Sequence, residues 1–185
     1  LSQQTKNAIM ESFIRLVGKK PLDKITVKDI VEDCDITRNT FYYHFQDVFD
    51  LMGEVFHSQF RLVMEREKEA GSWAKLLPEY IKFAQQNRSF LLHIYHSSHR
   101  DELERIFFVT ATEYITQALR NYPEAVSVSD ENLSLLARML FHVLNGMLHE
   151  WMNSGMQEDP ILSLPQMQKM LEDMVSAGLI AGNRN

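Results

Sequence analysis

Arg38 and Asn39 stand side by side, followed by Thr40, Tyr42, Tyr43 and His44. An arginine can hold a guanine edge, and an asparagine an adenine edge, through paired hydrogen bonds. Hydroxyls and the open N–H groups at a helix start hold phosphate and set register. These side chains share a surface only if the segment is helical. Phe41 and Phe45 then lie four apart on the opposite side, where they anchor it in a small core with Ile14 or Val17, Ile30 and Val31. Arg38 and Tyr42 form one outward row, and Asn39 and Tyr43 the next.

The surrounding pattern supplies the positioning elements. Ile9, Phe13, Leu16 and Val17 recur at helical spacing, which predicts a first helix over Thr5–Lys19, closed by Gly18 and Pro21. Thr26 with Asp29 three residues on reads as a capping box opening a short second helix, with Val27, Ile30 and Val31 inward. Cys34, Asp35 and Ile36 form a tight turn. Thr37 then caps a third helix over Arg38–His44. Two short helices joined this way form a helix-turn-helix, although helical periodicity alone also fits an accidental three-helix corner. Asp47 caps a long fourth helix that ends in the charged run Glu65–Glu69.

Beyond Gly71 the apolar period stays helical. A fifth helix carries Trp73, Leu76, Leu77, Tyr80 and Ile81, with Pro78 either kinking it or in its first turn. Asn87 opens a sixth, to about Ser97. The seventh, Asp101–Asn121, has two apolar rows, as a helix buried between neighbours does. Ser129 caps an eighth over Asp130–Asn153, stopped by Gly155, and Ser163 with Pro165 starts a ninth to about Ala181. The expected fold is all-α with about nine helices: a helix-turn-helix DNA-binding domain over 1–47, then a C-terminal helical bundle over 48–185 linked by the fourth helix.

Composition agrees. Hydrophobic residues make up 45% of 185, enough for a packed core, and 7 Gly and 5 Pro are few for a turn-rich β protein. The lone cysteine, Cys34, excludes an intrachain disulfide and reads as a small buried residue; with the polar segment Leu1–Lys6 it fits a cytoplasmic location. No apolar run is long enough for a membrane span. Net charge is −6, and residues 1–50 hold 7 Lys and Arg against 8 Asp and Glu. A nucleic-acid contact must therefore come from local placement. No nucleophile elbow, phosphate loop or paired carboxylates occur in a recognisable setting, which argues against an enzyme, and no cofactor motif is present.

The runs Ile25-Thr-Val-Lys-Asp-Ile-Val31 and Ile36-Thr-Arg-Asn-Thr-Phe-Tyr-Tyr-His-Phe45 resemble the DNA-binding signature of the TetR family of regulators, closely so over Ala8–Leu51. The resemblance implies phosphate contacts from Thr26 and Lys28. It implies a DNA face of Thr37, Arg38, Asn39, Thr40, Tyr42, Tyr43 and His44, with Arg38 and Asn39 reading bases and Thr40, Tyr42 and His44 clamping the backbone. Tyr43 also fits a shield over the core, and His44 a cap at the helix end. Two positions depart from the family. Asp35 stands where its turn usually has Gly, and Val48 where its fourth helix usually begins with Lys. The second departure removes a phosphate contact and, with the near-neutral head, predicts modest, salt-sensitive affinity.

Gly146-Met-Leu-His-Glu-Trp-Met-Asn-Ser-Gly155, followed by Glu158-Asp-Pro160, is similar to the C-terminal region of a subset of that family, which includes relatives of the dihydroxyacetone kinase regulator. The resemblance assigns ligand binding and dimerisation to the domain over 48–185, and implies a homodimer through the eighth and ninth helices, a palindromic double-stranded DNA operator, and a small-molecule effector that releases a repressor. A coactivator answering to a protein partner is the other reading. Candidate effector-lining residues are Phe56, Phe60, Tyr80, Phe90, Phe107 and Tyr114, together with Trp73, Phe83, Ile94 and Phe108; each also fits ordinary core. Arg138, His142, Asn145 and His149 form one polar stripe on the eighth helix, facing a cavity, the dimer seam or solvent. His93, His96 and His99 share a helix face, but no carboxylate or Cys pattern accompanies them, so surface or pocket-edge histidines fit better than a metal site.

Overall fold

A computed structural model describes residues 2–70, 77–157 and 165–183. Its helices are α1 (Ser2–Lys19), α2 (Val27–Asp33), α3 (Arg38–His44), α4 (Val48–Ala70), α5 (Leu77–Gln86), α6 (Arg88–Tyr95), α7 (Arg100–Arg120), α8 (Asp130–Asn153) and α9 (Pro165–Gly182). Short 3-10 turns occur at Leu22–Lys24 and Pro123–Ser127. Among the described residues there is no strand, and no helix is long and apolar enough to cross a membrane. Pro78 lies in the first turn of α5, where its missing N–H costs nothing. Trp73 and Ser163 lie outside the described residues.

Two compact units divide the chain, Leu1–Ser58 with Asn87–Phe107, and Gln59–Gln86 with Phe108–Asn185. The first is wider than the 1–47 segment drawn from sequence, because α6 folds onto α1. Phe90 and Ile94 of α6 pack on a core of Ile9, Phe13, Val17, Ile30, Phe41 and Leu51. His93 Nδ1 donates to the Val17 carbonyl at 2.6 Å, satisfying one of the open carbonyls at the end of α1. Asp23 completes the attachment. One carboxylate oxygen accepts from Ser97 Oγ at 2.5 Å and the other from Ser98 N at 2.9 Å.

The second unit is organised by α8 and α9 around Leu133, Leu136, Ala137, Leu140, Val175 and Leu179. Gly178 lets α9 approach closely: a Cβ there would lie 2.7 Å from Leu136 Cδ1. Gly178→Val overpacks this contact and should destabilise the chain by about 1–3 kcal/mol, read as a lower urea midpoint. Ser129 Oγ accepts from Asn132 N at 3.2 Å and caps α8. At the other end Gly155, with φ 75°, donates to the Met152 carbonyl, while Met156 N reaches Trp151 O, a two-bond closure of the helix end. Asn87 opens α6 through its backbone carbonyl, bonded to Leu91 N, rather than through a side-chain cap.

Candidate nucleic-acid interface

The Thr26–Asp29 box fixes where α2 begins. Thr26 Oγ1 accepts from Asp29 N at 3.2 Å and donates to Asp29 Oδ2 at 2.6 Å, and Thr26 N donates to the same oxygen at 2.8 Å. Lys20 adds an ion pair to Asp29 at 2.9 Å. The Thr26 hydroxyl and the Lys20 ammonium together hold the Asp29 carboxyl well below the usual carboxylate range. The Thr26 hydroxyl proton and its N–H are thus already committed before any phosphate approaches.

The turn between α2 and α3 depends on Asp35. Its φ of 53° is left-handed, a conformation Asp tolerates better than most residues. Ile36 N then reaches back to Val31 O at 3.0 Å and Asp35 N to Glu32 O at 3.4 Å, closing α2 in the same two-bond pattern as α8. Cys34 Sγ donates to Ala8 O at 3.5 Å, and burial pushes its thiol up, away from reactivity. From α1, Ser12 Oγ (2.6 Å) and Arg15 (2.5 Å) converge on Asp33 and lower its carboxyl.

Thr37 Oγ1 accepts from Thr40 N at 3.1 Å and starts α3. Its hydroxyl also pairs with Thr40 Oγ1 at 2.9 Å. Two hydroxyls hold two protons and this contact uses one, so the pair keeps one donor to offer outward. Phe41 and Phe45 are fully or nearly fully buried and 5.8 Å apart, whereas Tyr42 is 56% and Tyr43 78% exposed. Such exposure leaves Tyr43 little of a core-shielding role. Arg38 and Asn39 are exposed, and His44 is half-buried, edge-on to Tyr43 at 5.0 Å. Thr26, Lys28 and Thr37 are also exposed. At the start of α4, Asp47 Oδ1 accepts from Phe49 N and Asp50 N (2.8 and 2.9 Å) and Asp50 accepts from Gln46 N (2.9 Å), so two carboxylates occupy that helix end beside Val48.

The effector candidates divide between the two units. In the first, Phe56 meets Phe107 edge-on at 5.2 Å, and Phe56 and Phe90 pack on the core. In the second, Phe60 stacks on Tyr114 at 5.5 Å, and His142 stacks on Phe108 at 5.7 Å with Arg138 over the same ring. Arg138 and His142 are exposed, Asn145 and His149 half-buried. The side chains of Tyr80 and Phe83, and Trp73, lie outside the described residues. The three histidines point to separate tasks: His93 to the Val17 carbonyl, His96 to Tyr95 at 5.2 Å and His99 to Phe49 at 5.1 Å. Among the described residues no group of three His, Cys, Asp or Glu is placed to hold a metal ion. Sequence reading missed Asp23 and Ser97, because nothing local marks a contact spanning 74 residues.

The lowered carboxyls give the first unit a defined acid response. Asp23 is held at about 2 by the Ser97 hydroxyl and the Ser98 amide, against an ordinary value of 3.8. A depressed folded value stabilises above the unfolded value, and the contribution disappears as pH falls through the folded one. Stability should therefore fall between about pH 4 and 2. Asp23→Asn should lower stability at pH 7 and flatten that limb, measured by thermal melts across the range.

A short helix opened by a hydroxyl cap, anchored by two buried aromatics and exposing Arg, Asn and Tyr defines a helix-turn-helix DNA-binding module. The chain belongs to the TetR family of transcription regulators. Residues 9–55 match bacterial regulatory proteins of the tetR family, and residues 71–173 match a transcriptional regulator C-terminal region of that family. Among curated relatives, the HTH-type dhaKLM operon transcriptional activator DhaS of Lactococcus lactis is 25% identical over 49% of this chain and 49% of its own. The HTH-type regulator AcrR of Shigella flexneri is 25% identical over 65% of this chain and 58% of its own. The chain thus spans about half the length of the curated relatives it matches. The solved structure of the dihydroxyacetone kinase operon activator DhaS shares the fold with a TM-score of 0.61 at 19% identity, covering 97% of both chains. NalD of Pseudomonas aeruginosa, the secondary repressor of the MexAB-OprM multidrug efflux pump, gives 0.55 at 18% identity over 96% of this chain and 98% of its own.

Proposed function

We propose that the chain acts as a dimeric repressor that reads a palindromic operator through α3, and is not an enzyme. The observation that carries this is the division of α3 itself, with Phe41 and Phe45 buried and Arg38, Asn39, Tyr42 and Tyr43 outward. In this reading Arg38 and Asn39 contact base edges. Tyr42, His44 and the Thr37–Thr40 pair hold the backbone, and Lys28 meets phosphate at the start of α2, which Thr26, its own donors held by Asp29, fixes in place. Leu135 and Met139 of α8 and Met170, Met174 and Ile180 of α9 are exposed apolar side chains, which supports a seam through these helices. Arg138 and His142 share the exposed row of α8 with Leu135 and Met139, so we assign them to that seam. A small-molecule effector is assigned to the second unit, with Phe60, Tyr114 and Asn145 as its candidate contacts.

Selection from a randomised duplex library tests the reading. It should enrich an inverted repeat with half-sites about one helical turn, ~34 Å, apart, bound by two protomers. Failure to enrich any sequence would overturn it. A second reading, a coactivator answering to a protein partner, is favoured by the similarity to DhaS, an operon activator by name. A reporter driven by the enriched site distinguishes them: a repressor lowers expression, and an activator raises it.

A further inference from the structure

We propose that this head grips DNA chiefly through uncharged hydrogen-bond donors, so that its hold on a specific site depends only weakly on salt. The inference rests on the DNA-binding reading above. Residues 1–58 carry seven Lys and Arg, and four of them are committed to carboxylates of the same unit. Lys6 pairs with Glu54 at 3.0 Å, Arg15 with Asp33 at 2.5 Å, Lys20 with Asp29 at 2.9 Å and Lys28 with Glu32 at 3.7 Å. Lys19, Lys24 and Arg38 are what is left, and Arg38 is assigned to base edges.

Pairing changes the salt arithmetic. Salt dependence arises because a lysine neutralising a phosphate releases a condensed counterion. A lysine that exchanges a carboxylate for a phosphate leaves that carboxylate exposed beside the DNA. There it recruits a cation back, and the net release shrinks. Glu32 is such a carboxylate, and Asp35, Asp47 and Asp50 are further exposed acids just before and just after α3. Against these stand neutral donors: the spare proton of the Thr37–Thr40 pair and the exposed phenols of Tyr42 and Tyr43. Charge count alone points to a salt-sensitive contact; the pairing points to a shallow one. Non-specific binding, which is electrostatic, should be weaker still.

The test is fluorescence anisotropy with the library-enriched duplex and a scrambled duplex of equal length, in 50–200 mM KCl. Affinity for the enriched duplex should fall by less than about 100-fold across this range, against about 10³–10⁵ for a protein with 6–10 phosphate contacts. Glu32→Gln frees Lys28 at an exposed position, and should steepen the log–log slope by about one per head with an unchanged thermal melt. A steeper fall for the native chain, or an unchanged slope for Glu32→Gln, overturns the inference and leaves the DNA-binding reading standing. Enrichment of no duplex overturns both.

Discussion

Phe41→Ala should abolish DNA binding by unfolding the reading head rather than by altering the surface that reads. Phe41 is fully buried in the first core, 5.4 Å from Tyr42 and 5.8 Å from Phe45. Its removal deletes the side chain that α3 buries, and leaves a cavity that a seven-residue helix cannot collapse to fill. Such truncations cost about 3–5 kcal/mol, a large share of the 5–15 kcal/mol that holds a typical domain together. Urea titration followed by circular dichroism should show a lower midpoint. Hydrogen exchange should show that the amides of α1, α2 and α3 lose most protection. Phe41→Leu keeps much of the volume and should restore binding in part. A variant that bound no DNA yet melted like the native chain would place Phe41 in direct contact with DNA instead.

Arg38→Ala is the complementary case, large in binding and small in stability. Arg38 is exposed at the first position of α3, where truncation should move stability by no more than about 0.5 kcal/mol. Loss of a bidentate base contact costs about 1–3 kcal/mol, a drop of about 5- to 150-fold in affinity for each half-site of the enriched duplex. The drop should be confined to one base pair of each half-site: duplexes substituted there should bind the variant and the native chain almost equally. A uniform loss across all duplexes, with a salt slope shallower by about one, would move Arg38 to the phosphate backbone.

Much of this head is legible in the sequence because its determinants are local. Thr26 with Asp29, and Thr37 with Thr40, are partners three residues apart, so helix starts can be read where they stand. Phe41 and Phe45 are one helical turn apart, which fixes the buried side of α3 and hence the outward Arg38 and Asn39. The left-handed turn at Asp35 is likewise a matter of one residue's tolerance.

Other properties have no local signal. His93 reaches Val17 across 76 residues and Ser97 reaches Asp23 across 74, and these contacts make α6 part of the unit that carries α3. Periodicity shows that α6 is a helix, but not which helix covers it. The lysines behave the same way. Lys6 and Lys20 can be counted from sequence as cations of the head, yet only the folded chain shows their ammonium groups beside Glu54 and Asp29; Lys28 with Glu32, four apart on α2, is the local exception. The sequence by itself determined the helices, the caps at Thr26, Thr37 and Ser129 and the residues that α3 exposes, because hydrogen bonds and side-chain spacing within one or two turns decide them. The tertiary structure alone decided what α6 holds and that Lys6, Arg15 and Lys20 are already paired with carboxylates, because those contacts join chain segments that meet only once the core has closed.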